Sequence, residues 1–285
     1  MQLQRLEYKY LMPEKMALAM RDYVKSHLVL DENSQGKPNF AYMNHSIYLD
    51  SPTLRCYGDV LNGVKNRYKL RIRFYDDKPE SPVFFEIKRR MNNAILKQRG
   101  GVRRSAVHLL LSGHLPEMRH LVTANPKHLV ALQNFHELMM RDQAAPRTHV
   151  AYWREAWVSE HDNALRVTFD RVVQSSVHLD TRITTAMPEA VQPWGDLVIL
   201  ELKFTGRCPQ WFSGLVRTFG VMQCGVAKYA EGVEMLGETR LQATPGVVDE
   251  IAEREFQRRR ARNRRLAEDS PRLEPSAANS VRPGY

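Results

Sequence analysis

The chain has 285 residues, 43% of them hydrophobic, enough for one large domain or two small ones with a sizeable core. A net charge of +10 and a pI of about 9.6 favour an anionic partner: nucleic acid, an anionic membrane or a phosphorylated small molecule. Cys56, Cys208 and Cys224 are far apart and odd in number, which argues against a disulfide framework or structural zinc site and for a reducing compartment. The charged first ten residues lack a secretory apolar core, and no run of about 18 apolar residues occurs. A cytoplasmic protein without a transmembrane segment is expected, reaching a membrane only by recruitment to a partner there.

Residues 3–10 alternate as a strand, with Glu7 and Lys9 on one face and Tyr8 and Tyr10 on the other. Met12-Pro13-Glu14 ends it and opens a helix to about residue 27, striped by Met16, Ala19, Met20, Tyr23 and Val24. After a polar loop, residues 40–49 predict a second strand, with Tyr42, Asn44, Ser46 and Tyr48 on one side. Asp50-Ser51-Pro52 breaks it, and a short irregular or helical piece leads to the Asn62-Gly63 turn. Residues 68–75 then alternate without a break. Tyr68, Leu70, Ile72 and Phe74 oppose Lys69, Arg71, Arg73 and Tyr75. Alone, this is an exposed amphipathic strand with its cations in water.

The same charge alternation recurs downstream. Residues 83–89 set Phe84, Glu86 and Lys88 against Val83, Phe85 and Ile87, and residues 95–99 put Lys97 and Arg99 on one face. Residues 103–143 switch to helical spacing (Val107, Leu110 and Leu111, then Leu129, Leu132, Phe135, Leu138 and Met139) and read as a helical insertion. Its histidines, His108, His114, His120, His128 and His136, lack ligand-like spacing and read as surface or half-buried groups. Strands resume at 149–158, with Tyr152, Arg154 and Ala156 on one face, and after a turn at 161–163 continue at 165–170, with Arg166, Thr168 and Asp170 together. In residues 197–204, Ile199, Glu201 and Lys203 oppose Val198, Leu200, Leu202 and Phe204. Helical pieces follow at 209–219 and 227–236. Residues 1–240 are therefore expected to form one domain, and 241–285 an Arg-rich, flexible tail. That tail holds nine Arg against seven Asp plus Glu, so the excess cation lies mostly in the folded part.

Roughly eight strands joined mostly by short turns predict an α+β fold: an eight-stranded antiparallel sheet closed on itself, with helices packed outside. The charged faces would then line the interior. A dry interior cannot hold so many cations, because one unpaired buried charge costs several kcal/mol. A wide, wet tunnel can, with Glu7, Glu86 and Glu201 neutralising part of the charge. Its natural occupant is a polyphosphate anion, since arginine offers forked donors and lysine mobile point charges to phosphate oxygens. Carboxylates among such cations suit a divalent metal, whose preferred ligands are oxygens.

In these strands the sequence resembles the triphosphate tunnel metalloenzymes and, within them, the VTC-domain polyphosphate polymerases. The resemblance runs in order through Glu7-Tyr8-Lys9-Tyr10, Leu70-Arg71-Ile72-Arg73-Phe74-Tyr75, Phe84-Phe85-Glu86-Ile87-Lys88 and Lys97-Gln98-Arg99. It continues through Tyr152-Trp153-Arg154, Leu165-Arg166-Val167-Thr168-Phe169-Asp170, Leu200-Glu201-Leu202-Lys203 and Ala227-Lys228-Tyr229. It implies an ATP-dependent polyphosphate polymerase, a phosphotransferase using Mn2+ or Mg2+, of the free-standing bacterial kind. Arg71, Arg73, Lys88, Arg154, Arg166 and Glu201 would act on the transferred group. Lys9, Lys97, Arg99, Lys203 and Lys228 would bind ATP and polyphosphate, and Glu201, with Glu7 and Glu86, would hold the metal. The Glu-x-Glu-x-Lys of the related cyclases and thiamine triphosphatases is not met, because Arg5 occupies the first Glu position, and Ala227 replaces the family's usual Ser. Alternatives are a tunnel triphosphatase and a non-catalytic polyphosphate- or nucleotide-binding accessory protein. Specific nucleic-acid binding is not expected, and the oligomeric state is left open.

Overall fold

Tyr68, Leu70, Ile72 and Phe74 are all buried, the last three completely, so the uninterrupted alternation around residue 70 does turn its apolar face into a core. The computed structural model describes residues 5–92, 94–161 and 164–242. The Arg-rich tail and parts of the turns at 92–93 and 161–163 lie outside the described residues.

The described strands are β1 (Arg5–Met12), β2 (Val29–Leu30), β3 (Ala41–Asp50), β4 (Asn66–Phe74), β5 (Val83–Met91), β6 (Ala94–Val102), β7 (Ala145–Val158), β8 (Leu165–Val177) and β9 (Val198–Thr205). The described helices are α1 (Glu14–Val24), α2 (Arg55–Leu61), α3 (Val107–Leu111), α4 (Pro126–Arg141), α5 (Gln210–Phe219), α6 (Lys228–Leu236) and α7 (Glu238–Gln242). All strands join one antiparallel sheet in the order β1-β9-β8-β7-β3-β4-β5-β6, with β2 added to the end of β7.

Two expectations are corrected here. The sheet has nine strands rather than eight, because Val29–Leu30 is too short to show a period. Nor is it closed by hydrogen bonds: among the described residues β1 and β6 share no ladder. A side-chain ion pair nevertheless reaches across from β1 to β5, where Lys88 meets Glu7 at 3.4 Å.

The apolar faces are covered as expected. Ala17, Met20 and Val24 of α1 and Phe212 and Leu215 of α5 pack on Val167, Phe169, Leu200, Leu202 and Phe204. Leu132, Phe135, Leu138 and Met139 of α4 and Val107 and Leu110 of α3 join the core of Leu70, Ile72, Phe85 and Ile87. Helix α6 is the exception to helices packing outside, because it lies on the charged side. Tyr229 stacks on Tyr48 at 5.0 Å, and Gly232 approaches Ser175 of β8 so closely that a Cβ would not fit. A register shift between Ala151 and Trp153 of β7, opposite the left-handed Val172 (φ 50°), carries β8 past residue 170.

Candidate functional site

Ladder register fixes which charged side chains become neighbours. Lys9 lies opposite Glu201 and Glu7 opposite Lys203 on β1–β9, and Arg166 lies opposite Lys203 on β8–β9. Arg154 pairs with Asp170 across β7–β8, and Arg71 with Glu86 and Lys69 with Lys88 across β4–β5. Across β5–β6, Glu86 meets Arg99 and Lys88 meets Lys97. Seven of the nine described strands thus turn charged side chains to one face.

One half of this face is organised by two carboxylates. Glu201 on β9 bonds Arg154 at 3.1 Å and Lys228 at 2.8 Å, pairs with Lys203, and has Lys9 at 4.0 Å. Asp170 accepts both arms of Arg154 at 2.7 Å and contacts Lys228 at 2.7 Å. Burial works to raise the Glu201 pKa, but Lys203, Lys228, Arg154 and Lys9 outweigh it and hold the group well below its ordinary range. Asp170 is likewise lowered against its burial, by Arg154 and Lys228. In return, these two carboxylates raise Lys228 despite its burial.

The other half centres on Glu86. Arg71 lies 2.6 Å from it, Lys97 at 2.7 Å and Arg99 at 3.5 Å. Glu86 is fully buried, which raises its pKa, yet Arg71, Arg73 and Lys97 hold it well below the carboxylate range. Two cations here form no direct ion pair with a carboxylate among the described residues. Arg73 is only 7% exposed and donates to the hydroxyls of Tyr152 at 3.0 Å and, at longer range, Ser46. Lys69 lies over the Tyr229 ring at 5.7 Å, and burial, with Lys88, Lys9 and Arg67, lowers it to about 8. Neighbouring cations also pull down two buried phenols against their burial, Tyr48 through Arg71 and Lys69 and Tyr152 through Arg154 and Arg73.

Glu7 joins the halves, with Lys9 at 3.3 Å and Lys88 at 3.4 Å; burial opposes its ionisation, but Lys88, Lys203 and Lys9 hold it at about 2. Arg166 stands apart, its guanidinium turned to Asp31 at 3.0 Å. The face therefore gathers the residues expected from the sequence apart from Arg166, and adds Asp170, Lys69, Tyr48 and Tyr152. All four share the alternation of their strands, so their placement was readable, but their pairing depends on register. Asp31, in a loop, carried no such signal.

Among the described residues no cluster of three His, Cys, Asp or Glu is arranged to hold a metal. Glu201 still fits a hard divalent cation that takes most of its ligands from phosphate, as Mg2+ characteristically does with one or two carboxylates. Glu7 lies close enough for its charge and that of Glu201 to oppose each other's ionisation. Both Glu201 and Glu86 are ringed by cations, four and three respectively, so a metal at either would displace existing ion pairs. The buried His45–His149 contact of 3.0 Å belongs to neutral rings, which burial holds at about 4 and about 3.

No helix among the described residues is long and apolar enough to cross a membrane. No curated protein matches the chain. A solved structure of a putative adenylate cyclase from Vibrio parahaemolyticus is similar at 8% identity, over 81% of this chain and 98% of that one, with a TM-score of 0.39, too slight a likeness to bear on function. The family comparison does bear on it: residues 4–237, from β1 to the end of α6, match the VTC domain, and the chain belongs to the VTC-domain family.

Proposed function

We propose that the protein is a metal-dependent polyphosphate polymerase, which transfers the terminal phosphoryl group of ATP to a growing polyphosphate chain. The observation that carries this reading is Arg73: a buried guanidinium held only by hydroxyls, beside the cations of β4–β6. Arg73 feels the charge of Glu86 but forms no ion pair with it, and phosphate oxygens would give the guanidinium direct charge-assisted partners. Membership of the VTC-domain family supports phosphate chemistry on this face. The Glu7–Lys88 ion pair across the β1–β6 gap supports a tunnel-like enclosure in which a linear anion is surrounded.

In this mechanism Arg71, Arg73, Lys88 and Arg154 grip the triphosphate, and Arg166 joins them by exchanging Asp31 for a phosphate oxygen. Lys9, Lys97, Arg99, Lys203 and Lys228 hold the remaining charge of nucleotide and polymer. A terminal oxygen of the chain attacks the γ-phosphorus, the bond to the β-bridging oxygen breaks, and ADP leaves with that electron pair. The attacking oxygen is already anionic, so no general base is needed, and catalysis is positioning plus charge stabilisation. Mn2+ or Mg2+ on Glu201, with Glu7 adjacent, would neutralise phosphate charge when bound.

The test is incubation of purified protein with ATP and Mn2+, resolving polymer on a gel and counting ADP. Polymer with matching ADP is expected. Orthophosphate without polymer would identify a triphosphatase, and binding without turnover an accessory protein; either result overturns the polymerase reading.

A further inference from the structure

Three aromatic side chains meet at one border of the charged face. Tyr42 on β3 and Phe84 on β5 lie on that face by register, opposite Arg154 and Arg73 respectively. Tyr75 follows the end of β4 and continues its polar alternation. The rings form a chain, with Tyr42–Tyr75 centroids 6.3 Å apart and Tyr75–Phe84 6.2 Å apart in an edge arrangement. At the far end the Arg99 guanidinium lies 3.5 Å over the Phe84 ring. Gly101 lies opposite Phe84 on β6 and against its ring, where an added Cβ would touch it at 3.4 Å, an ordinary contact.

This border differs from the rest of the face. Tyr75 is 36% exposed and Tyr42 and Phe84 are half-buried, whereas Tyr48, Tyr152 and Tyr229 deeper in are buried. Phosphate has no use for aromatic faces, but every nucleobase offers a π-face to stack on them. The rings directly adjoin Arg73 and Arg154, which the proposed function assigns to the triphosphate. Tyr42 is near enough to Arg154 and Arg166 for both to favour its ionised form, although burial raises its pKa overall.

We infer that the Tyr42–Tyr75–Phe84 ledge receives the base of a nucleoside triphosphate whose phosphates lie on the adjoining cations. The inference rests on the triphosphate reading of the face and adds the discrimination between nucleotide and inorganic triphosphate. Arg99 serves both parts: it backs the Phe84 ring while paired with Glu86.

The test is calorimetric titration of ATP and of inorganic triphosphate into wild type, Tyr75→Ala and Phe84→Leu, with folding checked by circular dichroism. Tyr75 is the most exposed of the three, so its removal leaves the core intact. The ratio of ATP to inorganic-triphosphate affinity should fall about tenfold in Tyr75→Ala, the loss of one base–aromatic stack. In Tyr75→Trp, ATP should quench the indole fluorescence and inorganic triphosphate should not. An unchanged ratio in both loss variants, or quenching by both ligands alike, would overturn the ledge while leaving the phosphate site standing. Wild type binding neither ligand would overturn both readings.

Discussion

The two halves of the charged face solve the same electrostatic problem differently. On β7–β9 and α6, Arg154, Lys228 and Lys203 are matched by Asp170 and Glu201. On β4–β6, Glu86 alone serves Arg71, Lys97 and Arg99, while Arg73 and Lys69 rely on hydroxyls and a ring. Charges that must be buried for folding are paired inside the protein. A cation left with weak partners is the one whose contacts phosphate oxygens displace most easily. The first half is accordingly the more fully neutralised within the protein, and the second keeps the cations with the weakest internal partners.

The strongest way to break this contrast is to remove a carboxylate from the paired half. Asp170→Ala leaves Arg154 and Lys228 under-neutralised in a buried setting and should cost about 3–5 kcal/mol in urea unfolding. A loss below about 1 kcal/mol would show that the cluster is not structural. Arg73→Ala should behave in the opposite sense. Stability should be unchanged or rise, while affinity for inorganic triphosphate falls roughly a hundredfold, about 3 kcal/mol.

Tyr229→Phe probes the joint between the halves. Its hydroxyl donates at 2.6 Å to the buried Asp50, which also accepts from the backbone N–H groups of Cys56 and Tyr57. Loss of this charge-assisted bond should cost about 2 kcal/mol in thermal unfolding.

The smallest expected effect is on pH dependence. Burial lowers Lys69 and Lys203 to about 8. Their protonated forms are therefore penalised in the folded state, and their contribution to stability improves as pH rises from about 8 toward the unfolded lysine value. Triphosphate affinity should run the other way and fall through the same window, by up to about tenfold, as the cations are lost. Parallel slopes in the two titrations would contradict the assignment of these lysines to the ligand.

Much of this was legible from alternation. The Lys69-to-Tyr75 pattern placed its cations on one face, and the same rule placed Glu86, Arg154, Asp170 and Glu201 on it too. What alternation cannot convey is partnership. Asp170 matters because register sets it opposite Arg154, and Arg73 because nothing acidic falls opposite it. The apolar stripe of α6 (Tyr229, Val233 and Leu236) reads equally well against either side of the sheet. Only the fold shows that it covers the charged side. Similarly, the bulge at Val172 resets the period of β8, which hid the second half of that strand from a simple count.

The most direct test of the central claim compares unfolding of wild type, Arg73→Ala and Asp170→Ala with and without inorganic triphosphate. Without ligand, Arg73→Ala should be at least as stable as wild type and Asp170→Ala markedly less so. Saturating triphosphate should stabilise wild type strongly and Arg73→Ala by about 3 kcal/mol less at equal ligand concentration. An Arg73→Ala variant as destabilised as Asp170→Ala, yet fully stabilised by triphosphate, would contradict the account.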